Sequence, residues 1–304
     1  MELYKKHRPA DFDQLVGNAA ASAMLEGFIA RKSVPHTILF KGPSGCGKTT
    51  AARILRDRLG CHKVDFAEIN AADHNGVDTI REIGTKMVLS PLSGPVRVWI
   101  VDECHQLTKP AQSAFLKILE DTPPHVYFFL ATTDPNKLLK TILTRCTEVE
   151  MESLTKPQLL GLVNRTAKAE DFTVPATIAR QIVEACDGSA RKALVILDQV
   201  WGADEEEASA IIRKADSKRQ AIELARALMG GASWGVVSEL LRNITEDPEG
   251  LRYLVLGYAR AVLIKSSGAK ATRAYVIIEA FRDNFYDSKA AGLAAACFEV
   301  TTNP

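Results

Sequence analysis

One stretch, FKGPSGCGKTT from Phe40 to Thr50, leaves this chain few folds to choose from. Residues 42–49 fit the pattern G-x-x-x-x-G-K-[ST] at every fixed position. Thr37-Ile-Leu-Phe40, just before it, is short, apolar and β-prone. Residues 50–59, just after it, carry apolar side chains at helical spacing. A buried strand, a glycine-rich turn and a helix in that order form a phosphate-binding loop. The glycines let successive backbone N–H groups turn inward around phosphate oxygens. The helix adds its N-terminal donors and its dipole. Gly42, Pro43, Ser44, Gly45, Cys46, Gly47, Lys48, Thr49 and Thr50 are therefore nucleotide-binding candidates. Lys48 is placed to reach the β- and γ-phosphates, and the Thr49 hydroxyl to ligate Mg²⁺. Pro9 and Val16, ahead of the first strand, are counted with them.

Residues 37–151 alternate strand-like and helix-like pieces. Strands are expected at 37–41, 64–70, 96–101, 126–131 and 147–151. Helices are expected at 48–59, 77–89, 110–120 and 136–143. Continuous apolar strands alternating with helices predict a parallel sheet covered on both faces. Ligands of such a sheet bind at the carboxyl ends of its strands.

A second chemical signal sits at one of those ends. Val98-Trp-Ile-Val-Asp-Glu103 is an apolar strand closing on two acids, a Walker B pattern. Asp102 suits the metal's water shell, and Glu103 suits polarising an attacking water. Two acids capping the next helix is the plainer alternative. A third strand end, Thr132-Thr133-Asp134-Pro135, aims polar groups at the same crevice, although it also reads as a helix start.

Composition narrows the setting. The chain has 304 residues with a formal net charge of +1, so nucleic acid is neither demanded nor excluded. No apolar run is long enough to span a membrane and no signal peptide is evident, so a cytoplasmic protein without a membrane partner is expected. The six cysteines form no C-x-x-C pair, which fits a reducing compartment. Cys46 is read as structural. The basic run Lys5-Lys6-His7-Arg8 reads as solvated surface more readily than as a DNA contact. Pro9 bars a helix through it, and Asn18 is expected to cap a helix over 19–31.

Helices are also expected at 156–170, 175–186 and 190–201. The acidic junction Ala203–Glu207 is either a boundary or an acidic first helical turn. Further helices are expected at 217–229, 233–244, 249–264, 272–285 and 289–299, with no catalytic constellation among them.

The segments RPADFDQLVG, GPSGCGKT, VDECHQLTKPAQSAFLKILEDTPPHVYFFLATTDPNKL, ILTRC and DGSARKAL occur in that order. Together they resemble a clamp-loader ATPase of the AAA+ class, as in bacterial DNA polymerase III gamma/tau subunits and their phage counterparts. Replication factor C small subunits are similar but more distant.

The resemblance implies an α/β P-loop NTPase fold with a parallel five-stranded sheet, a small helical lid and an all-α collar. The corresponding domains are 1–151, 152–204 and 205–304. It implies that Thr133 senses the γ-phosphate and that Arg191 is the lid arginine on the nucleotide. Arg145 matches the family's Ser-Arg-Cys arginine, which acts in trans on a neighbour's ATP; Thr144 stands in place of the serine. Asn70 falls near the residue that restrains the catalytic glutamate. Glu103, Arg145, Lys48 and Thr133 are thus the catalytic candidates, with Thr49 and Asp102 for Mg²⁺. Arg81, Lys109 and Lys140 are DNA-contact candidates, to phosphate and without sequence preference.

The implied partners are a sliding clamp, primer–template DNA, further copies of the chain and a different subunit in a ring of five. The four-cysteine zinc module of bacterial gamma/tau subunits is replaced by a single Cys61, so zinc is not expected. The short length resembles phage or compact loaders. A DNA-remodelling ATPase on the same core and a non-hydrolysing ring subunit are the alternatives.

Overall fold

The computed structural model describes residues 2–242, 244 and 247–302, without the side chains of 216–219. Asn243, within the helix expected at 233–244, lies outside the described residues. The chain separates into two compact units, Met1–Trp201 and Gly202–Pro304.

The first unit opens with a one-turn helix α1 (Leu3–Lys6) and α2 (Ala19–Ala30). A five-stranded sheet follows: β1 (Thr37–Lys41), β2 (Phe66–Asn70), β3 (Arg97–Asp102), β4 (Val126–Thr132) and β5 (Thr147–Glu150). Between the strands run α3 (Lys48–Arg58), α4 (Val77–Met87), α5 (Lys109–Glu120) and α6 (Lys140–Leu143). The strand order is β2-β3-β4-β1-β5, and every pairing is parallel. Register brings the carboxyl ends level, with Lys41 opposite Thr132 and Asn70 opposite Asp102.

The sheet is apolar on both faces because each covers a helical layer. Phe128 packs with Ile80, Ile83 and Phe115 on one side. Its neighbour Phe129 packs with Leu25, Ile54 and Leu55 on the other. Successive side chains of a strand point to opposite faces, so both must be apolar. Three helices complete the unit: α7 (Lys156–Ala169), α8 (Ala176–Ala185) and α9 (Ala190–Gln199).

Among its described residues, the second unit has helices as its regular elements: α10 (Glu205–Met229), α11 (Trp234–Arg242), α12 (Pro248–Lys265), α13 (Ala269–Ala280) and α14 (Lys289–Thr302). Leu224, Leu228, Val255, Ile277, Phe281 and Val300 form its core.

Four local expectations change. Asn18 occupies the N-cap of α2 but makes no cap bond. Its side chain instead ties the loop segments together, donating to Glu152 O at 3.3 Å and accepting from Glu152 N at 2.6 Å. The helix expected at 136–143 breaks at Leu138 and Leu139, because Gln112 takes Leu139 N–H (2.9 Å) and Lys137 O (3.4 Å) out of the helical ladder. The acidic junction is a helix start: Asp204 caps α10, and Glu205, Glu206 and Glu207 fill its first turn. α13 stops at Ala280, short of Phe285. There Arg252 takes the carbonyls of Phe281 (3.0 Å) and Arg282 (3.1 Å).

Candidate nucleotide site

The phosphate loop leaves β1 through Gly42 and enters α3 at Lys48. Gly42 has φ +150°, and a Cβ there would lie 2.0 Å from Met151 O. Gly45 has φ +77°, and a Cβ would lie 2.1 Å from Ser189 Oγ, the N-cap of α9. Neither position accepts a side chain, and the second brings the DGSAR segment directly onto the loop.

Lys48 is buried, and its ammonium folds back to donate to Gly42 O (2.8 Å) and Pro43 O (2.7 Å). A buried ammonium requires partners, and loop carbonyls supply them. Cys46 is 2% exposed, and burial pushes its thiol up, so it packs as an apolar group.

The two acids of β3 point in different directions. Asp102 Oδ2 accepts from Thr49 Oγ1 at 2.9 Å, and its Oδ1 accepts from Glu103 N at 3.0 Å. A hydroxyl and a carboxylate side by side are hard oxygen donors that fit Mg²⁺, which keeps several waters and takes few protein ligands. Glu103 adopts φ +49°, a conformation costly for a side-chain-bearing residue and common at functional sites. Its Oε2 accepts from Thr133 Oγ1 at 3.1 Å and lies 3.3 Å from His105 Nδ1. The same His105 nitrogen is 3.0 Å from Thr132 Oγ1. The phosphate loop and the ends of β3 and β4 are therefore joined through side chains.

Ser44 to Thr50, Asp102 and Glu103 line a cavity of about 510 Å³, which Thr133 and His105 reach through their contacts with Glu103. Pro9, Val16, Leu154, Leu162 and Leu194 line it too, with Arg165 and Thr166 of α7. Arg191 also lines the cavity, its guanidinium 5.9 Å from the centre of the Tyr4 ring.

Five sequence-derived candidates lie elsewhere. Asn70 does not touch Glu103: it donates to Asp73 (2.7 Å) and accepts from Ala72 N (3.1 Å), closing a local turn. Glu103 is held instead by Thr133 and His105. Arg145 stands outside the cavity, paired with Glu120 and bonded to Thr141 O at 3.0 Å. Arg81, Lys109 and Lys140 are exposed on α4, α5 and α6, and Arg81 is already paired with Asp78 at 3.1 Å.

Sequence reasoning counted Pro9 and Val16 but missed His105 and the basic residues of the amino-terminal wall. Lys6, His7 and Arg8 line it, which corrects the reading of the basic run as plain surface.

Comparison with known proteins shows what the chain is similar to. The family model for the DNA polymerase III delta subunit matches residues 63–155. The tau subunit of Bacillus subtilis DNA polymerase III is 35% identical over 218 residues, 65% of this chain and 39% of that one. The Escherichia coli tau subunit is 31% identical over 228 residues, 68% of this chain and 36% of that one. Over about two thirds of its length, the chain is similar to these clamp-loader subunits.

It spans about two fifths of the length of these curated relatives. Among solved structures, the RuvB Holliday junction branch migration motor of Thermotoga maritima superposes with a TM-score of 0.59 at 19% identity. That match covers 76% of this chain and 84% of the motor. It shows the shared P-loop AAA+ fold and nothing about substrate. Among the described residues, no helix is long and apolar enough to cross a membrane.

Proposed function

We propose that the chain is an ATP-hydrolysing clamp-loader subunit that works in a ring to place a sliding clamp on primer–template DNA. One observation carries the reading. Thr49 bonds Asp102 and Thr133 bonds Glu103, and both acids line the cavity that the phosphate loop borders. Residues suited to phosphate binding, metal binding and water activation thus lie next to one another, which supports the reading.

Incoming phosphates would replace the carbonyls of Gly42 and Pro43 as partners of Lys48, a charge-assisted exchange. Mg²⁺, held by Thr49 and Asp102, would neutralise charge on the phosphate oxygens. Glu103 would orient and polarise the attacking water once its Oε2 leaves Thr133. The freed Thr133 hydroxyl would then report on the γ-phosphate. Pro9 and Val16 would border the base, and Arg191 would turn from Tyr4 to the phosphates. Arg145, outside its own chain's cavity, would serve the ATP of the next subunit. Lys109 and Lys140 would contact DNA phosphates, with Arg81 weakened by its pairing to Asp78. Residues 152–204 would act as the lid, and residues 205–304 as the collar of a cytoplasmic, hetero-oligomeric ring.

The test is steady-state ATPase activity with primer–template DNA, with and without the cognate clamp and companion subunit. Stimulation that needs both DNA and clamp supports the loader. Stimulation by DNA alone, indifferent to the clamp, replaces it with a DNA remodeller. ATP binding without turnover leaves a structural ring subunit. Arg145→Ala should keep ATP affinity and lose turnover, and mixing it with Glu103→Gln subunits should restore part of the rate.

A further inference from the structure

Glu170 is misplaced by the ordinary rules of helix design. It follows the last residue of α7, where the helix dipole disfavours an acid. Its side chain is nevertheless only 12% exposed, because both carboxylate oxygens are engaged. Lys6 Nζ lies 2.7 Å from Oε2, and His7 Nε2 lies 2.5 Å from Oε1. Lys6, then His7, hold its pKa below the ordinary carboxylate value. Two consecutive residues of the amino-terminal strap thus close on one carboxylate more than 160 positions away.

The strap has a second attachment to the same helical group. α1 packs along α9, Leu3 is buried, and the Tyr4 ring faces Arg191 of α9. The segment from Tyr4 to Pro9 meanwhile forms one wall of the nucleotide cavity. That wall is fastened to α7 and α9 through the Glu170 clip and the Tyr4–Arg191 contact. On the reading that this cavity takes ATP, this wall is one that a bound nucleotide would rest against.

We propose that Glu170, acting through Lys6 and His7, is a positioning residue that fixes the amino-terminal wall of the nucleotide cavity and sets how long a nucleotide stays bound. It touches neither the phosphates nor the reacting water. Its effect therefore falls on release and not on the chemical step. Loosening a wall that a bound ligand rests against acts mainly through the dissociation rate.

The experiment uses the full chain and a fluorescent N-methylanthraniloyl ATPγS with Mg²⁺, chased by excess ATP in a stopped-flow instrument. Glu170→Gln should release the analogue about tenfold faster at low salt. Its single-turnover hydrolysis of saturating ATP should match wild type. Lys6→Met should also speed release, Lys6→Arg should restore the wild-type rate, and Lys6→Met with Glu170→Gln should release no faster than Glu170→Gln alone. Glu184→Gln, an exposed acid on the neighbouring α8, is the control and should change nothing. Wild-type release from Glu170→Gln, or full additivity of the two strap variants, overturns the proposal. Lys48→Ala separates the two levels: if it binds the analogue as wild type does, the phosphate-loop reading fails whatever the clip does.

Discussion

The two ends of the parallel sheet use similar side chains for opposite purposes. Strand β3 begins at Arg97 and ends at Asp102, so it contributes to both. At the amino ends, Asp65 accepts from the backbone N–H groups of Leu92 (2.6 Å), Ser93 (2.8 Å) and Gly94 (3.1 Å). It also meets Arg97 at 3.3 Å. Arg97 also donates to Lys86 O (2.6 Å) and Ser90 O (3.3 Å). This ion pair is buried, both oxygens of the Asp65 carboxylate are filled, and together they hold a loop. At the carboxyl ends, Lys48 rests on loop carbonyls, Asp102 on a hydroxyl, and Glu103 is engaged through one oxygen. Those partners can be exchanged for a ligand's. Charge and burial do not tell a site from a staple; exchangeable partners do.

Substitutions should break the two ends differently. Glu103→Gln should keep ATP affinity and lower turnover by about 100-fold or more, since a general base contributes on that scale. Equilibrium binding and steady-state hydrolysis, measured on the same preparation, check both halves. Lys48→Ala should weaken ATP binding by roughly 100-fold through loss of charge-assisted hydrogen bonds. It should leave the melting midpoint of the nucleotide-free protein nearly unchanged or slightly raised, because a buried cation has been removed. Isothermal titration calorimetry and thermal unfolding read the two effects.

Arg97→Met should show the reverse. Leaving Asp65 buried without its cation should cost about 3 kcal/mol, or roughly 10 °C in the midpoint of the first unit. ATP affinity measured well below that midpoint should stay at the wild-type value. A variant that loses affinity and keeps stability would place Arg97 in the site and erase the contrast between the two ends.

The same contrast explains what could be read from the sequence. The sheet and the phosphate loop were legible because period, apolar runs and fixed glycines are local signals. The pairing of Thr49 with Asp102 followed from strand–helix alternation, which brings strand ends together. The bond from Thr133 to Glu103 and the approach of His105 needed the register of β3 and β4, which no local pattern carries. Asn70 failed as a partner of Glu103 because its own turn, through Asp73 and Ala72, satisfies it first. The break before α6 was invisible because its cause, Gln112, is on another helix. The amino-terminal strap was the largest miss: four basic residues in a row look solvated until the acid that receives two of them is known. Glu170, an acid at a helix C-terminus, was the one available hint, and its partners are far away in the chain.

The smallest predicted effect tests the saturated end by pH. Burial alone would raise the Asp65 pKa. The N–H groups of Leu92, Ser93 and Gly94, together with Arg97, outweigh burial and bring it from an ordinary 3.8 down to about 2. A carboxylate with a depressed folded pKa adds stability that is fully present above its unfolded pKa. That stability fades as pH falls through the folded value, here from about 3.8 to about 2. Asp65→Asn has no such charge at any pH. The gap in melting midpoint between wild type and Asp65→Asn should therefore be constant from pH 7 to 5 and shrink between pH 4 and 2. Other carboxylates titrate in that range, but they do so in both proteins and cancel in the difference. A gap that stays constant down to pH 2 would mean that Asp65 stabilises the loop through shape and neutral hydrogen bonds alone. The amino ends of the sheet would then be held by packing, and the contrast with the carboxyl ends would rest on geometry instead of charge.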